Sequence, residues 1–182
     1  MDRVDRQWKS QAFQVGAPTH LRPWLTDPDS LTARLAARCG KLEVRVLRQS
    51  MALPGEDERA LVGLPRGRRA WLREVLLVAD GRPVVFAHSV LAPRDLRGAW
   101  RMAAAVGGRP LGAALFADPR IARGALHCER LDGAHPLHRR AQRAVSAALP
   151  ALWARRSRFL HRNRPLLVTE VFLPTIADLR RR

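Results

Sequence analysis

The sequence predicts an α+β fold built on a single, mainly antiparallel sheet. Apolar stretches rich in Val and Leu are joined by short turn sequences, which is typical of antiparallel strands. Helical segments lie between these stretches without the regular alternation that a parallel sheet requires. With 182 residues, of which 47% are hydrophobic and 27% charged, the chain has the size and composition of one globular domain, spanning residues 1–182.

The first helix is predicted within residues 26–41, and the first strand follows it. Asp27 is positioned to cap the helix, Pro28 suits its first turn, and Gly40 is suited to end it. In "KLEVRVLRQ", apolar residues alternate with polar ones, as in a half-buried strand. Residues 51–69 are rich in Gly, Pro and charge, and they predict a loop.

The stretch "AWLREVLLVADGRPVVFAHSV", residues 70–90, predicts an apolar β-hairpin. Asp80-Gly81 is a preferred dipeptide for a two-residue turn. Counting outward from that turn pairs Arg73 with His88. Two potential cations would then face each other on an apolar surface, which is unfavourable unless an anion lies between them. A longer loop that shifts the register by one residue, or a partly covered face, would remove the conflict.

The second half of the chain predicts further helices and strands. The patterns indicate a helix over 94–108, a short turn or helix over 109–119, a strand over 124–131, an amphipathic surface helix over 135–150 and two strands over 156–174. The last two strands are joined around Arg162-Asn163.

The last strand carries a charge on an apolar face. In "PLLVTEVFLP", Glu170 shares a face with Leu166, Val168 and Phe172. A buried carboxylate needs a partner, a proton or a ligand. One interpretation is a structural ion pair between Glu170 and Arg73. The other is a pocket with an arginine at one end and a carboxylate at the other, which suits a small ring with a carboxylate and a hydroxyl at opposite poles.

Composition and motifs argue against several other classes. The formal charge of +17 comes almost entirely from arginine, and no zinc-finger, RRM or Gly-interleaved aromatic motif accompanies it. His127, Cys128, His135 and His138 lack the spacing of a standard zinc site. No apolar run is long enough to span a bilayer, and the first residues have no signal-sequence core. We therefore expect a cytoplasmic protein.

Several motifs together resemble the chorismate pyruvate-lyase family. They are "DSLTARL", "WLREVLLVADGRPVVFAHSVLAP", "RPLGAALF" and "LWARRSRFLHRNRPLLVTEVFLP", in the family's order between about Asp29 and Pro174. The resemblance implies an enzyme that converts chorismate to 4-hydroxybenzoate and pyruvate for ubiquinone synthesis, without a cofactor. It also implies helical flaps over a buried ligand pocket. Residues from about 131 to 152 look like a surface insertion, and Arg180-Arg181-Arg182 form a basic C-terminal tail.

The resemblance implies a role for five residues. Arg73 of "WLRE" is expected to bind the ring carboxylate, and Glu170 of "TEVFLP" the ring hydroxyl. Leu111 of "PLG" and Leu31 of "DSLT" are expected to line the site, where the family often has Met in place of Leu31. His88 stands where the family has an arginine that acts on the enolpyruvyl group, so a catalytic role beside Arg73 is expected. As a free imidazole, His88 would be mostly neutral above its ordinary pKa of about 6.5. No metal is implied.

Two other classes of function stay open. One is a non-catalytic module that binds a small molecule like 4-hydroxybenzoate, since the effector domains of GntR-type regulators resemble this fold. In a chain of 182 residues we expect no winged-helix domain of the kind found in such regulators. The other is a basic nucleic-acid-binding protein. We expect a monomer whose partners are chorismate and 4-hydroxybenzoate.

The arginine-rich composition predicts only weak, sequence-independent binding to DNA or RNA. Binding through phosphate contacts alone falls steeply with added salt, because it depends on counterion release. Gel-shift titrations at low and at physiological salt measure this. A shifted complex that persists at physiological salt would contradict the prediction.

Overall fold

The computed structural model describes residues 8–179. Its strands are β1 Leu42–Ala52, β2 Ala70–Ala79, β3 Arg82–Leu91, β4 Ile121–Arg123, β5 His127–Leu131, β6 Leu152–His161 and β7 Arg164–Phe172. Its α-helices are α1 Arg22–Thr26, α2 Leu31–Ala36, α3 Glu56–Leu61, α4 Arg101–Ala105, α5 Leu111–Ala117 and α6 Pro136–Val145. Short 3-10 turns occur at Ala12–Val15, Pro93–Asp95 and Pro174–Asp178.

All seven strands form one antiparallel sheet, which confirms the predicted α+β fold. The strand order is β1-β2-β3-β7-β6-β4, and β5 pairs with β6 on the same edge as β4. Every residue of β2 is buried, because helices cover both faces of the sheet. The first face, which carries Val75 and Leu77, packs against α1, α2 and α5. The second face, which carries Leu76 and Val78, packs against α3 and α6.

The Asp80-Gly81 turn forms as predicted. Both residues have positive φ, 47° and 80°, as a two-residue hairpin turn requires. The Asp80 carboxylate accepts hydrogen bonds from the backbone N–H groups of Gly40 and Lys41, at 3.1 and 2.8 Å. The hairpin is therefore tied to the connection between α2 and β1.

A β-bulge changes the register of the hairpin just beyond the turn. Pairing begins as predicted, with Ala79 opposite Arg82, and then shifts by one residue between Leu77 and Val78. Pro83 lies at the shift, and its nitrogen has no hydrogen to donate to the ladder. The turn itself keeps two residues, so the shift comes from the bulge and not from a longer loop.

The predicted pairing of Arg73 with His88 is therefore wrong. Ser89 lies opposite Arg73, and His88 lies opposite Glu74. Because successive side chains of a strand point to opposite faces, Arg73 is on the first face and His88 on the second.

The helix predicted within residues 26–41 starts later than expected. Ser30, not Asp27, caps α2, because the Ser30 hydroxyl accepts a hydrogen bond from the N–H of Ala33 at 3.3 Å. Asp27 instead forms an ion pair with Arg34 at 2.5 Å. The side chain of Asp27 thus binds Arg34 and does not cap the helix.

The prediction of a loop over residues 51–69 is also wrong in part, because α3 lies within it. The carboxylate of Glu58 accepts a hydrogen bond from the backbone N–H of Gly55 at 2.8 Å, which closes the first turn of the helix. The helix is only six residues long, and the Gly and Pro residues around it favour the prediction of a loop.

The helix expected over 135–150 is α6, and it covers the second face of the sheet. Its residues Leu137 and Ala141 are buried against β2, β3 and β6. The segment predicted as an insertion, 131–152, thus contributes to the core with this helix. The predicted basic tail, residues 180–182, lies outside the described residues.

His88 lies in a buried cluster of charges on the second face. Its Nε2 is 3.1 Å from an oxygen of Glu58, and its Nδ1 is 3.3 Å from an oxygen of Glu74. Neither contact has hydrogen-bond geometry, so the attraction is mainly electrostatic. Arg140 of α6 donates to the same Glu74 oxygen at 2.9 Å. Burial by itself lowers the pKa of His88, but the two carboxylates outweigh it and raise the pKa to about 9.

We expect His88 to make the stability of the fold depend on pH. Its pKa rises from 6.5 to about 9 on folding, so its contribution to the free energy of unfolding is complete below pH 6.5 and is lost as the pH rises through 9. His88→Gln should abolish this decline. At neutral pH the free energy of unfolding of the variant should fall by about 3 kcal/mol, because Glu58 loses its cation and Glu74 keeps only Arg140.

Urea unfolding at a series of pH values measures the effect. His20→Gln, at an exposed histidine, is the matched control. The same pH dependence in the parent and in His88→Gln would contradict the expectation.

Candidate active site

A cavity lies between the first face of the sheet and the helices α2 and α5. Most of its lining is apolar and comes from both helices and from six strands. The polar side chains that line it are Thr32, Arg73, Ser89, Arg123, Ser157 and Glu170. The arrangement suits a small ring that carries charged or polar substituents.

Leu31 and Leu111, both expected to line the site, stand at the starts of the two helices that cover the cavity. Both line it and both are buried. The two helices approach each other at Gly112, where an added Cβ would lie 2.9 Å from the Thr32 hydroxyl oxygen. Glycine in "PLG" therefore permits the close packing of α2 and α5 over the cavity.

Arg73 enters the cavity from β2 and is only 2% exposed. Its Nη2 donates to the carbonyls of Gly107 and Arg109, at 2.9 and 3.1 Å, in the loop between α4 and α5. Its Nε is buried and has no hydrogen-bond partner among the described residues. Burial lowers the pKa of Arg73, yet an arginine stays charged at neutral pH. Carbonyl groups hold this cation in place without neutralising it.

Glu170 is paired with Arg155, its neighbour across the β6–β7 ladder. The Nε of Arg155 lies 2.5 Å from an oxygen of Glu170. Its Nη1 donates to the carbonyls of Trp24 and Asp27, at 2.7 and 2.8 Å. The ion pair between Glu170 and Arg73, one of the two sequence interpretations, is not formed because Arg155 takes that place. An ionised Glu170 is positioned to accept a hydrogen bond from a ligand hydroxyl.

Arg123 of β4 is a further arginine at the cavity, and the sequence analysis missed it. Its Nε donates to the Ser157 hydroxyl at 3.0 Å, and its Nη1 to the carbonyl of Pro28 at 2.5 Å. Its guanidinium carbon lies 5.4 and 5.5 Å from the ring centres of Phe116 and Phe159. In a chain with 33 basic residues, no local pattern distinguishes this arginine.

His88 does not line the cavity, because the bulge in β3 turns it to the second face. The expectation that it shares a pocket with Arg73 is wrong. Its raised pKa also keeps it protonated at neutral pH, in contrast to the neutral imidazole expected from the sequence. The geometric argument for a catalytic role of His88 therefore no longer holds.

The cavity has an excess of positive charge. Arg73 and Arg123 line it, and Arg155 lies beside Glu170. Glu170 neutralises Arg155, so two guanidinium charges are left without a paired carboxylate among residues 8–179. Coulombic attraction is stronger in such apolar surroundings than in water. The cavity is therefore suited to a small dianion.

Two other kinds of feature are absent from the described part of the chain. No helix there is long and apolar enough to cross a membrane. No group of three or more His, Cys, Asp and Glu side chains within it is placed to hold a metal ion.

The fold and the cavity together define a single-sheet α+β protein with an arginine-lined cavity beneath two helices. The model of the chorismate lyase family matches residues 4–181. The chain is 58% identical over 174 residues to a probable chorismate pyruvate-lyase of Aromatoleum aromaticum, covering 94% of each chain. It is 59% identical over 167 residues to one from Azoarcus sp. (strain BH72), covering 90% of this chain and 88% of that one. The protein belongs to the chorismate lyase family, which confirms the resemblance.

Solved structures with low sequence identity share the fold. The effector domain of PhnF from Mycobacterium smegmatis has a TM-score of 0.54 and 14% identity, covering 80% of this chain and 89% of that one. A GntR-family transcriptional regulator from Enterococcus faecalis V583 has a TM-score of 0.52 and 12% identity, covering 73% of this chain and 90% of that one. This likeness supports the α+β architecture.

We expect Arg155 and Glu170 to be strongly coupled in stability. Arg155→Met keeps a long side chain but removes the charge, and it should lower the free energy of unfolding by about 3–5 kcal/mol because it leaves Glu170 without its cation. Adding Glu170→Gln should restore part of that loss, since the unpaired charge is gone.

Urea unfolding of the parent, the two single variants and the double variant measures this coupling. Arg158→Gln, at an exposed position on the same strand, controls for the loss of one positive charge. A double variant whose loss equals the sum of the single losses would show that the two residues are independent.

Proposed function

We propose that this protein is a chorismate pyruvate-lyase that converts chorismate to 4-hydroxybenzoate and pyruvate. The observation that carries the proposal is the charge of the cavity, where two unpaired guanidinium groups and one carboxylate surround an apolar space. Chorismate is a dianion with a ring hydroxyl, so its charges complement these groups. Membership in the chorismate lyase family supports the same reaction.

In this proposal Arg73 binds the ring carboxylate and Glu170 accepts a hydrogen bond from the ring hydroxyl. Arg73 is on β2 and Glu170 on β7, and β3 lies between them. Two strand spacings of about 4.8 Å therefore separate the two side chains, which suits groups at opposite ends of one ring. Leu31 and Leu111 pack on the ring from the covering helices. A guanidinium fork fits a carboxylate with two parallel hydrogen bonds, so Arg73 would fix the orientation of the ring.

The reaction breaks the ether bond between the ring and the enolpyruvyl oxygen. The neighbouring ring carbon, which carries the hydroxyl, loses its hydrogen, and the ring becomes aromatic. The released enolpyruvate takes up a proton and becomes pyruvate, so the elimination has no net oxidation and needs no cofactor. Formation of the aromatic ring drives the reaction, and the enzyme contributes by fixing one conformer and stabilising the leaving group.

A second candidate is a module that binds a 4-hydroxybenzoate-like ligand without turnover. The likeness to the PhnF effector domain favours it, but at 14% identity that likeness concerns the fold alone. The matches at 58% and 59% identity to probable lyases favour catalysis. We expect the enzyme to act as a cytoplasmic monomer that supplies the ring precursor of ubiquinone.

Incubation of the purified protein with chorismate separates the two candidates. The lyase proposal expects 4-hydroxybenzoate and pyruvate to form in equal amounts, measured by chromatography and by a coupled pyruvate assay. Binding of 4-hydroxybenzoate without product formation would favour the second candidate. The absence of both binding and turnover would overturn both.

We expect Arg73→Ala to abolish tight binding of 4-hydroxybenzoate. Removing one partner of a buried charge pair costs about 3–5 kcal/mol, which corresponds to a loss in affinity of more than about a hundredfold. Isothermal titration of the parent and the variant measures the dissociation constant, with Arg158→Gln as the control for net charge. An unchanged dissociation constant would exclude Arg73 as the carboxylate anchor.

A further inference from the structure

The substrate of the proposed reaction carries two carboxylates, whereas 4-hydroxybenzoate carries one. Arg73 is assigned to the ring carboxylate. The second carboxylate belongs to the enolpyruvyl group, which leaves as pyruvate. The cavity therefore requires another cation where the leaving group lies. His88 cannot provide it, because it is on the other face of the sheet.

Of the two remaining arginines near the cavity, only Arg123 has no paired carboxylate among the described residues. Arg155 is bound to Glu170 and to two backbone carbonyls. Arg123 is held by a serine hydroxyl and by the carbonyl of Pro28, both neutral. Its Nη2 makes no hydrogen bond among the described residues.

Arg123 also stands at the opposite wall of the cavity from Arg73. The register aligns Arg73, Ser89, Val168 and Ser157 in one row across four strands. Ser157 is the residue that holds the Nε of Arg123. Three strand spacings of about 4.8 Å thus separate Arg73 from the strand that positions Arg123, which leaves room for a ligand between the two guanidinium groups.

The surroundings of Arg123 strengthen its attraction for an anion. The ring centres of Phe116 and Phe159 lie 5.4 and 5.5 Å from its guanidinium carbon, so the two rings cover part of the guanidinium group. Burial lowers its pKa, and the nearby charge of Arg155 lowers it further. A desolvated guanidinium without a paired carboxylate gains more from binding an anion than a solvated one does.

We infer that Arg123 binds the carboxylate of the enolpyruvyl group and stabilises the departing enolpyruvate. This inference deepens the proposed function and rests on it. When the ether bond breaks, its electron pair stays on the enolpyruvyl oxygen, and negative charge grows next to the carboxylate that Arg123 holds. The leaving group then takes up a proton and departs as pyruvate. Arg123 is thus the cationic residue for the leaving group, the role that the family resemblance implied for His88.

The test compares a ligand with one carboxylate and a ligand with two. The first is 4-hydroxybenzoate. The second is 3-(1-carboxyvinyloxy)benzoate, which keeps the enolpyruvyl ether but is already aromatic and cannot undergo the elimination. Arg123→Gln should weaken binding of the dicarboxylate by about 10- to 100-fold, the value of hydrogen bonds to a charged group. It should change binding of 4-hydroxybenzoate by less than about threefold.

Turnover provides a second measurement. The kcat/KM of Arg123→Gln for chorismate should fall at least as much as the dicarboxylate affinity, and Arg123→Lys should recover part of it because the charge returns without the fork. Arg158→Gln, which removes an exposed charge from β6, should behave like the parent. If Arg123→Gln does not fold, Arg123→Lys replaces it, with a smaller loss that is still selective for the dicarboxylate.

Two results would overturn the inference. Unchanged dicarboxylate binding in the Arg123 variants would show that Arg123 does not bind the second carboxylate. Equal losses for both ligands would show that Arg123 only holds the segment before α2 through the Pro28 carbonyl. If the parent protein does not turn over chorismate, the proposed function fails. The comparison of the two ligands still decides whether Arg123 binds a second carboxylate.

Discussion

A bulge beside Pro83 moves every later pair of the β2–β3 ladder by one residue. The shift decides which charged residues share a face of the sheet. It leaves Arg73 on the first face with Ser89 opposite, and it places His88 on the second face opposite Glu74. Without the bulge, Arg73 and His88 would be direct neighbours. This one irregularity therefore places Arg73 in the cavity and His88 in the core on the other side of the sheet.

The two faces of the sheet differ in how completely their buried charges are paired. On the second face, His88 and Arg140 lie against two carboxylates, so the charges are compensated within the protein. On the first face, Arg73 and Arg123 are held by neutral oxygen atoms and keep their charge available. Compensated charge contributes to stability, whereas uncompensated charge favours a ligand that supplies the missing anion. This difference is the physical basis for placing the proposed reaction on the first face.

The architecture alone does not separate an enzyme from a sensor. The PhnF effector domain shares the fold with a TM-score of 0.54 at 14% identity. A fold of this kind supports several functions, so the function must be argued from the site. Here the argument rests on the charges of Arg73, Arg123 and Glu170 and on the covering helices that meet at Gly112. A module that only binds 4-hydroxybenzoate would have no need for a second unpaired guanidinium in its cavity.

Local patterns were sufficient for most strands, for the Asp80-Gly81 turn and for α6, because alternation, turn dipeptides and helical periodicity act over a few residues. Family motifs singled out Arg73 and Glu170, and both line the cavity. Local patterns failed for α3, whose start depends on a capping contact within a Gly- and Pro-rich segment. The face occupied by His88 and the presence of Arg123 in the cavity were decided only by the tertiary structure. The sequence gives no clear local signal for the bulge that decides the face of His88. The position of Arg123 in the cavity depends on neighbours that are distant along the chain.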